Sequence, residues 1–491
     1  MTETEIPPPI VTSAPRSGSL DAPLEWGSAS EMNALEALMW RAEGDPRLRS
    51  TISALYQLDC LPDWDRFLAA HDWATRVVPR FRQRVVEPLL GLGLPCWAVD
   101  ADFDLHYHVR RARLPEPGGW RELLSACEQI AMTPFDRARS PWEAYLFEGL
   151  PDGRSGYLLK MHHSTMDGMG AMQLFGQLHS RQREHSANKP QPPAPPPDEV
   201  SSADILRRQL ARDARLGAGH LRSTAARGLR ALARPDASVR DAVRFGGSLR
   251  RVLADPDAEG SPLLRGRSMS WRFSALDVAF ADLRGASKAA DATLNDAFLA
   301  AVLGGFRRYH EELGVTIDAI PMAVPISVRR ESDAEGGNRF AGARIAGPAG
   351  IVDPVERMAA VGNLVRSARD EPAVDGLALV APALARMPAA LISQLAGNIT
   401  KANDLQASNI PGIRHEVYIA GGKIERFYGF GPLPGCAVMM ALISHGDTCC
   451  VSVNSDPAAV TDGERFDRCL REGFEEVLAL VPDASAPVLR V

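Results

Sequence analysis

The chain has 491 residues, 45% hydrophobic and 24% charged, with a formal net charge of −6. That length exceeds one ordinary hydrophobic core and points to two globular domains. The mildly acidic balance argues against general nucleic-acid binding. Seven scattered cysteines with no C-x-x-C argue against a disulfide framework or zinc ribbon and fit a reducing cytoplasm.

Residues 1–25, with acidic residues and prolines where a signal peptide needs a basic start and an apolar core, read as a disordered lead-in. A first domain is expected over 26–188. Within it "GYLLKM" (156–161) reads as a buried strand running into His162 and His163, and "GMGAMQLFGQLHS" (168–180) as a helix. Six prolines within 190–197 mark an extended linker. The stretch 203–252 carries twelve arginines against four aspartates, with Leu206, Leu210, Leu221, Leu229 and Leu232 interspersed. It reads as short amphipathic helices with a basic face, either a solvated crossover or a contact for anionic lipid headgroups. Linker and crossover together occupy 189–260, and a second domain follows over 261–491.

In that second part "TLND" (293–296) has the pattern of a capping box, with Thr293 as N-cap and Asp296 three residues on, which puts Asn295 in the first helical turn. "AIPMAVPIS" (319–327) reads as a strand. "CAVMMALIS" and "TCCVSVNSD" flank His445, Gly446 and Asp447 as a hairpin. "SNIPG", with Ser408, Asn409 and Gly412, reads as a loop. The apolar run 376–397 contains Arg386 and two prolines, and reads as core, tunnel wall or surface membrane contact rather than a spanning helix. Strands and helices alternate in both parts, so the class is α/β.

The chemistry concentrates at "HHSTMDG" (162–168). A strand ending in two histidines sends their side chains to opposite faces, so one imidazole enters a cleft. Neutral imidazole suits proton removal from a hydroxyl. Asp167 can orient that ring or hold the loop by pairing with an arginine, and Gly168 permits backbone geometry that a side chain would block. A metal site needs at least three converging ligands. The further candidates are His106 and His108, which at i, i+2 would share one strand face.

The pattern His162-His163-x-x-x-Asp167-Gly168 resembles the signature of acyltransferases with the chloramphenicol acetyltransferase-like fold. Ser140-Pro141-Trp142-Glu143, the Asn295-Asp296 block, "VPISVRR" (324–330) with "GGN" (336–338), and "SNIPG" with "YGFGPLPG" (428–435) are similar, in order and spacing, to bacterial wax ester synthase/diacylglycerol acyltransferases. The resemblance implies two chloramphenicol acetyltransferase-like domains with an active-site channel between them. It implies long-chain acyl-CoA as co-substrate, diacylglycerol or a fatty alcohol as acceptor, and neither metal nor cofactor. It places the general base on the second histidine, His163, a choice that spacing alone leaves open. Asp167 and Asn295 join it as catalytic candidates, Asn295 as oxyanion donor, supported by His162, Gly168, Asp296 and Arg329, the last as a partner for Asp167. Trp142, Ser408, Asn409 and Gly412 are substrate-channel candidates. A poorly soluble product implies a cytoplasmic enzyme resting peripherally on the inner membrane or on lipid inclusions. A condensation-type acyltransferase, a non-catalytic lipid-binding or acyl-CoA-binding protein, and a metal hydrolase remain the alternatives.

Overall fold

The computed structural model describes residues 29–186, 189–212, 258–327, 340–370 and 403–491. The expected lead-in, Arg329, the 336–338 block, the apolar run 376–397 and most of the basic stretch lie outside these residues.

Two mixed sheets carry the α/β architecture. The six-stranded sheet has the order Tyr418–Ile419, Gly422–Phe430, Thr51–Leu58, Ser155–His162, Trp142–Glu148, Val109–Arg113. The seven-stranded sheet has the order Val488–Arg490, Arg272–Ala279, Thr448–Ser455, Val438–His445, Leu405–Ile410, Ile320–Ser327, Phe340–Gly347. All eight positions of Ser155–His162 are buried because both faces of its sheet are covered. On one face Tyr157, Leu159 and Met161 pack with Phe67, Leu174 and Phe175, from the helices Trp64–Val77 and Gly168–Leu178. On the other, Leu158 shares a core with Phe273, Ala275 and Met439 of the second sheet.

The strand Gly422–Phe430 joins the two halves. It lies late in the chain, yet pairs antiparallel with Thr51–Leu58, from Ser53 opposite Phe430 to Leu58 opposite Ile424. Arg426 Nε donates to Asp277 Oδ2 at 3.0 Å, the Tyr428 hydroxyl donates to Asp277 Oδ1, and Phe430 stacks on Phe273 at 4.1 Å. The sheets therefore do not divide where the stretches 26–188 and 261–491 do.

Other local expectations can be compared directly. His445 pairs with Thr448 across a two-residue turn, where Gly446 takes φ +56°, the left-handed conformation such turns require. Ser408 and Asn409 lie not in a loop but in the strand Leu405–Ile410, parallel to Val438–His445 and terminated by Pro411. In the described part of the basic stretch, residues 202–212 are helical. Its buried side is Ile205 and Gln209, whereas Leu210 is exposed. Gln209 turns inward because its amide donates to Leu94 O (2.7 Å) and accepts from Leu94 N (2.9 Å).

His106 and His108 do not share a strand face. They sit in a short helix, Leu105–His108, capped by Asp104. His108 stacks between Phe103 and Trp142, with Nδ1 2.7 Å from Trp142 O. Burial pulls its pKa down to about 4, as it does for His71, and pulls His179 down to about 3. These rings fold neutral, against an unfolded value near 6.5. Their contribution is therefore complete above about pH 6.5 and is lost as pH falls toward 4, each tenfold mismatch in proton affinity being worth about 1.4 kcal/mol. Urea unfolding should show a clearly lower midpoint at pH 5 than at pH 7.5. Equal midpoints would contradict the neutral-histidine account.

Candidate active site

The two histidines end the strand Ser155–His162 in unlike environments. His162 is fully buried, facing the ring edges of Trp40 and Phe135. Its Nδ1 lies 2.7 Å from Ser164 Oγ and 3.0 Å from Ser164 N. An amide N–H can only donate, so Nδ1 accepts and the ring proton sits on Nε2. Nε2 lies 3.4 Å from Glu43 Oε1, so its N–H faces the carboxylate closely but is too poorly aligned for a hydrogen bond. His163 is half-buried, and its N–H continues the ladder by donating to Ser50 O at 2.7 Å. Strand alternation then gives His163 the face of Tyr157, Leu159 and Met161, opposite His162.

Asp167 is buried and caps the following helix, Oδ1 accepting from Gly170 N at 2.7 Å. Its expected partner Arg329 lies outside the described residues. Gly168 marks a close approach between the halves, since a Cβ there would meet Ile410 Cδ1 at 2.8 Å. The end of the Ser408–Asn409 strand thus abuts the histidine loop. Gly412 is as constrained, because a Cβ would stand 2.2 Å from Ser444 O.

Asn295 occupies the first turn of the helix Leu294–Glu312, after a true capping box: Thr293 Oγ1 accepts from Asp296 N (3.2 Å), and Asp296 Oδ2 accepts from Thr293 N (3.0 Å). First-turn N–H groups point outward without helical partners and favour negative charge. Asp296 is spent on this cap, on a longer contact with Arg366 (3.8 Å) and on close packing against Gly362. The helix packs on the second sheet, where Leu303 and Met322 both close on Gly347 and Met322 pairs with Leu405. No hydrogen bond among the described residues joins Asn295 to His163.

A cavity of about 310 Å³ opens on the His163 face of the first sheet, walled by Tyr56, His71, Trp142, Tyr157, Leu159 and Phe175 among others. Leu159 is four residues from His163, about 13 Å along the strand. Trp142 is chiefly a core residue: its Nε1 donates to Phe81 O at 2.7 Å and its ring stacks on His108 at 4.6 Å. Five of the seven cysteines are buried, and burial pushes the Cys436, Cys449 and Cys469 thiols up to about 12, which leaves little thiolate.

Glu43 carries no motif and was not among the residues expected at the site. It follows the helix Ala34–Ala42, a position where an acid opposes the helix dipole, and that mismatch is the sequence signal available. Burial pushes its carboxyl up, but His162, the Ser50 N–H and Arg137 outweigh burial and hold it below the usual range. A second candidate grouping, Glu312, Cys469 and Glu472, lies in the second half, and Arg465 and Arg468 already neutralise Glu312.

Comparison with known proteins fits this geometry. Residues 27–298 match the wax ester synthase/diacylglycerol acyltransferase catalytic domain, and residues 336–478 match the C-terminal domain of the same family. A protein of Mycobacterium tuberculosis H37Rv, provisionally named a diacylglycerol O-acyltransferase, is 42% identical over 475 residues, 94% of each chain. Another from that organism, provisionally named likewise, is 30% identical over 477 residues, 93% of this chain and 98% of its own. Among solved structures, the wax ester synthase/diacylglycerol acyltransferase of Marinobacter aquaeolei VT8 superposes with a TM-score of 0.62 at 22% identity, over 91% of this chain and 98% of that one. The first condensation domain of the CDA synthetase gives 0.56 at 15%, over 93% and 97%. These two establish the shared chloramphenicol acetyltransferase-like fold. With both family domains matched in order across most of its length, the chain belongs to the wax ester synthase/diacylglycerol acyltransferase family and is an O-acyltransferase.

Proposed function

We propose that this enzyme moves a long-chain acyl group from acyl-CoA to the hydroxyl of diacylglycerol or of a long-chain fatty alcohol, with His163 as general base. The observation that carries the assignment is the contrast between the histidines: His162 is fully buried with both ring nitrogens facing protein groups, whereas His163 is half-buried on the opposite face. His163 takes the acceptor's hydroxyl proton as the oxygen bonds to the thioester carbon. The carbonyl pair moves onto oxygen, where Asn295 donates. Collapse breaks the C–S bond, and the imidazolium returns its proton to the CoA thiolate, leaving ester and free CoA. Acyl-CoA is the co-substrate and no further cofactor enters. Asp167 sets the loop that carries the base by capping the next helix.

The aromatic and aliphatic cavity on the His163 face supports a long-chain substrate. No helix among the described residues is long and apolar enough to cross a membrane. Peripheral contact with the inner membrane or lipid inclusions, from the cytoplasmic side, is part of the same proposal. It draws on the arginine-rich composition of 203–252 and the poor water solubility of the product.

The test is CoA release from palmitoyl-CoA with hexadecanol, with a diacylglycerol, or with neither. Acceptor-dependent release is expected, and the faster acceptor identifies the preferred product. Palmitoyl-CoA binding with no release in any arm would favour a lipid-binding role instead.

A further inference from the structure

We propose that Glu43 is a positioning residue for the reaction, holding the His162–His163–Ser164 turn from the face opposite the substrate. The proposal rests on His163 being the base.

Glu43 reaches the turn by two routes. In the first, Glu43 Oε1 accepts from Ser50 N at 2.7 Å, and the carbonyl of the same residue, Ser50, accepts from His163 N at 2.7 Å. The carboxylate thus anchors the residue whose carbonyl holds the main chain of the base. In the second, the same oxygen faces Nε2 of His162, which carries the ring proton. A carboxylate there favours that tautomer and leaves Nδ1 to accept from Ser164 N, the first residue of the loop leading to Asp167. One anionic group thereby holds residues 162, 163 and 164 in register. Its surroundings are built for the charge: the Glu43 side chain is 10% exposed, and Arg137, near enough to favour the carboxylate, packs over Trp40 and donates to Trp40 O at 2.9 Å. An acid at a helix C-terminus costs stability, so its placement here calls for a compensating role. Glu43 touches neither acceptor nor thioester in this arrangement. It acts through the histidines, and loss of such support lets a base drift by a fraction of an ångström to an ångström, enough to cost up to about 100-fold in rate.

The test pairs kinetics with amide exchange on full-length Glu43→Ala, Glu43→Gln and His163→Ala. In Glu43→Ala, kcat for CoA release should fall about tenfold or more while KM for palmitoyl-CoA stays within about twofold. The peptide covering 162–167 should exchange faster, while peptides from Leu294–Glu312 do not change. Glu43→Gln keeps an acceptor oxygen for the Ser50 N–H, the hydrogen bond behind the first route, so it should restore most of both signals. If Glu43→Ala does not fold, Glu43→Asp, one methylene shorter, should show the same pattern at smaller size. A purely structural role would lower the folded fraction and leave kcat per folded molecule intact, which would overturn the proposal. So would unchanged exchange at 162–167, or faster exchange at wild-type turnover. If His163→Ala turns over like wild type, the base assignment itself fails, and the exchange arm still reports whether Glu43 holds the turn.

Discussion

His163→Ala should lower CoA release by about 10²–10⁴-fold, the usual contribution of a positioned general base, while leaving the fold intact. The backbone bond from residue 163 to Ser50 O survives the substitution, and a half-buried side chain at a strand end leaves little packing to lose. KM for palmitoyl-CoA should change little, because a base acts on the acceptor hydroxyl in the transition state rather than on bound thioester. His162→Ala is the informative contrast. That ring is fully buried, supports Ser164 N and fills space beside Trp40 and Phe135, so its removal should appear first as lower thermal stability. Thermal unfolding beside turnover separates the two. Equal turnover in wild type and His163→Ala would sink the base assignment.

Arg357→Ala should destabilise the second half by about 3–5 kcal/mol, the range for truncating a large, fully buried side chain to alanine. Arg357 is fully buried in the helix Pro354–Arg369 and ties three helices together. Its Nε donates to Ala300 O at 2.9 Å, Nη1 to Ile351 O at 2.7 Å, and Nη2 to Glu476 Oε2 at 2.6 Å. Truncation removes a donor from three carbonyls, those of Ala300, Ile351 and Val352, and leaves a cavity the size of the side chain. Glu476 keeps Arg308 at 3.0 Å, so the loss arises mainly from the carbonyls and packing rather than from an orphaned carboxylate. Gly304 belongs to the same arrangement, since a Cβ there would stand 2.6 Å from Arg357 Nη2. Urea unfolding monitored in the second half checks this, and a loss below about 1 kcal/mol would be at odds with a buried network of this kind.

The sequence by itself determined the local pieces: the strand into His162, the helix after Asp167, the Thr293–Asp296 capping box and the hairpin at Gly446. Each depends on side chains within a few residues of one another, so hydrophobic period, cap chemistry and turn geometry are written in adjacent positions. The family signature followed because the same short blocks occur in one order. Tertiary structure alone decided the rest. Ser408 and Asn409 joined a strand because parallel partners at Val438–His445 take their backbone groups, which no local turn signal records. His108 became a stacked core ring because Trp142 lies over it in space. The strand Gly422–Phe430 crossed into the first sheet because Thr51–Leu58 offered a free ladder and Asp277 a partner for Arg426 and Tyr428. Glu43 reached His162 from more than a hundred residues away, where only folding brings the charge and the ring proton together. Local propensity names the chemistry each segment carries, and long-range burial and hydrogen bonding decide which histidine is fully buried and which is half-buried.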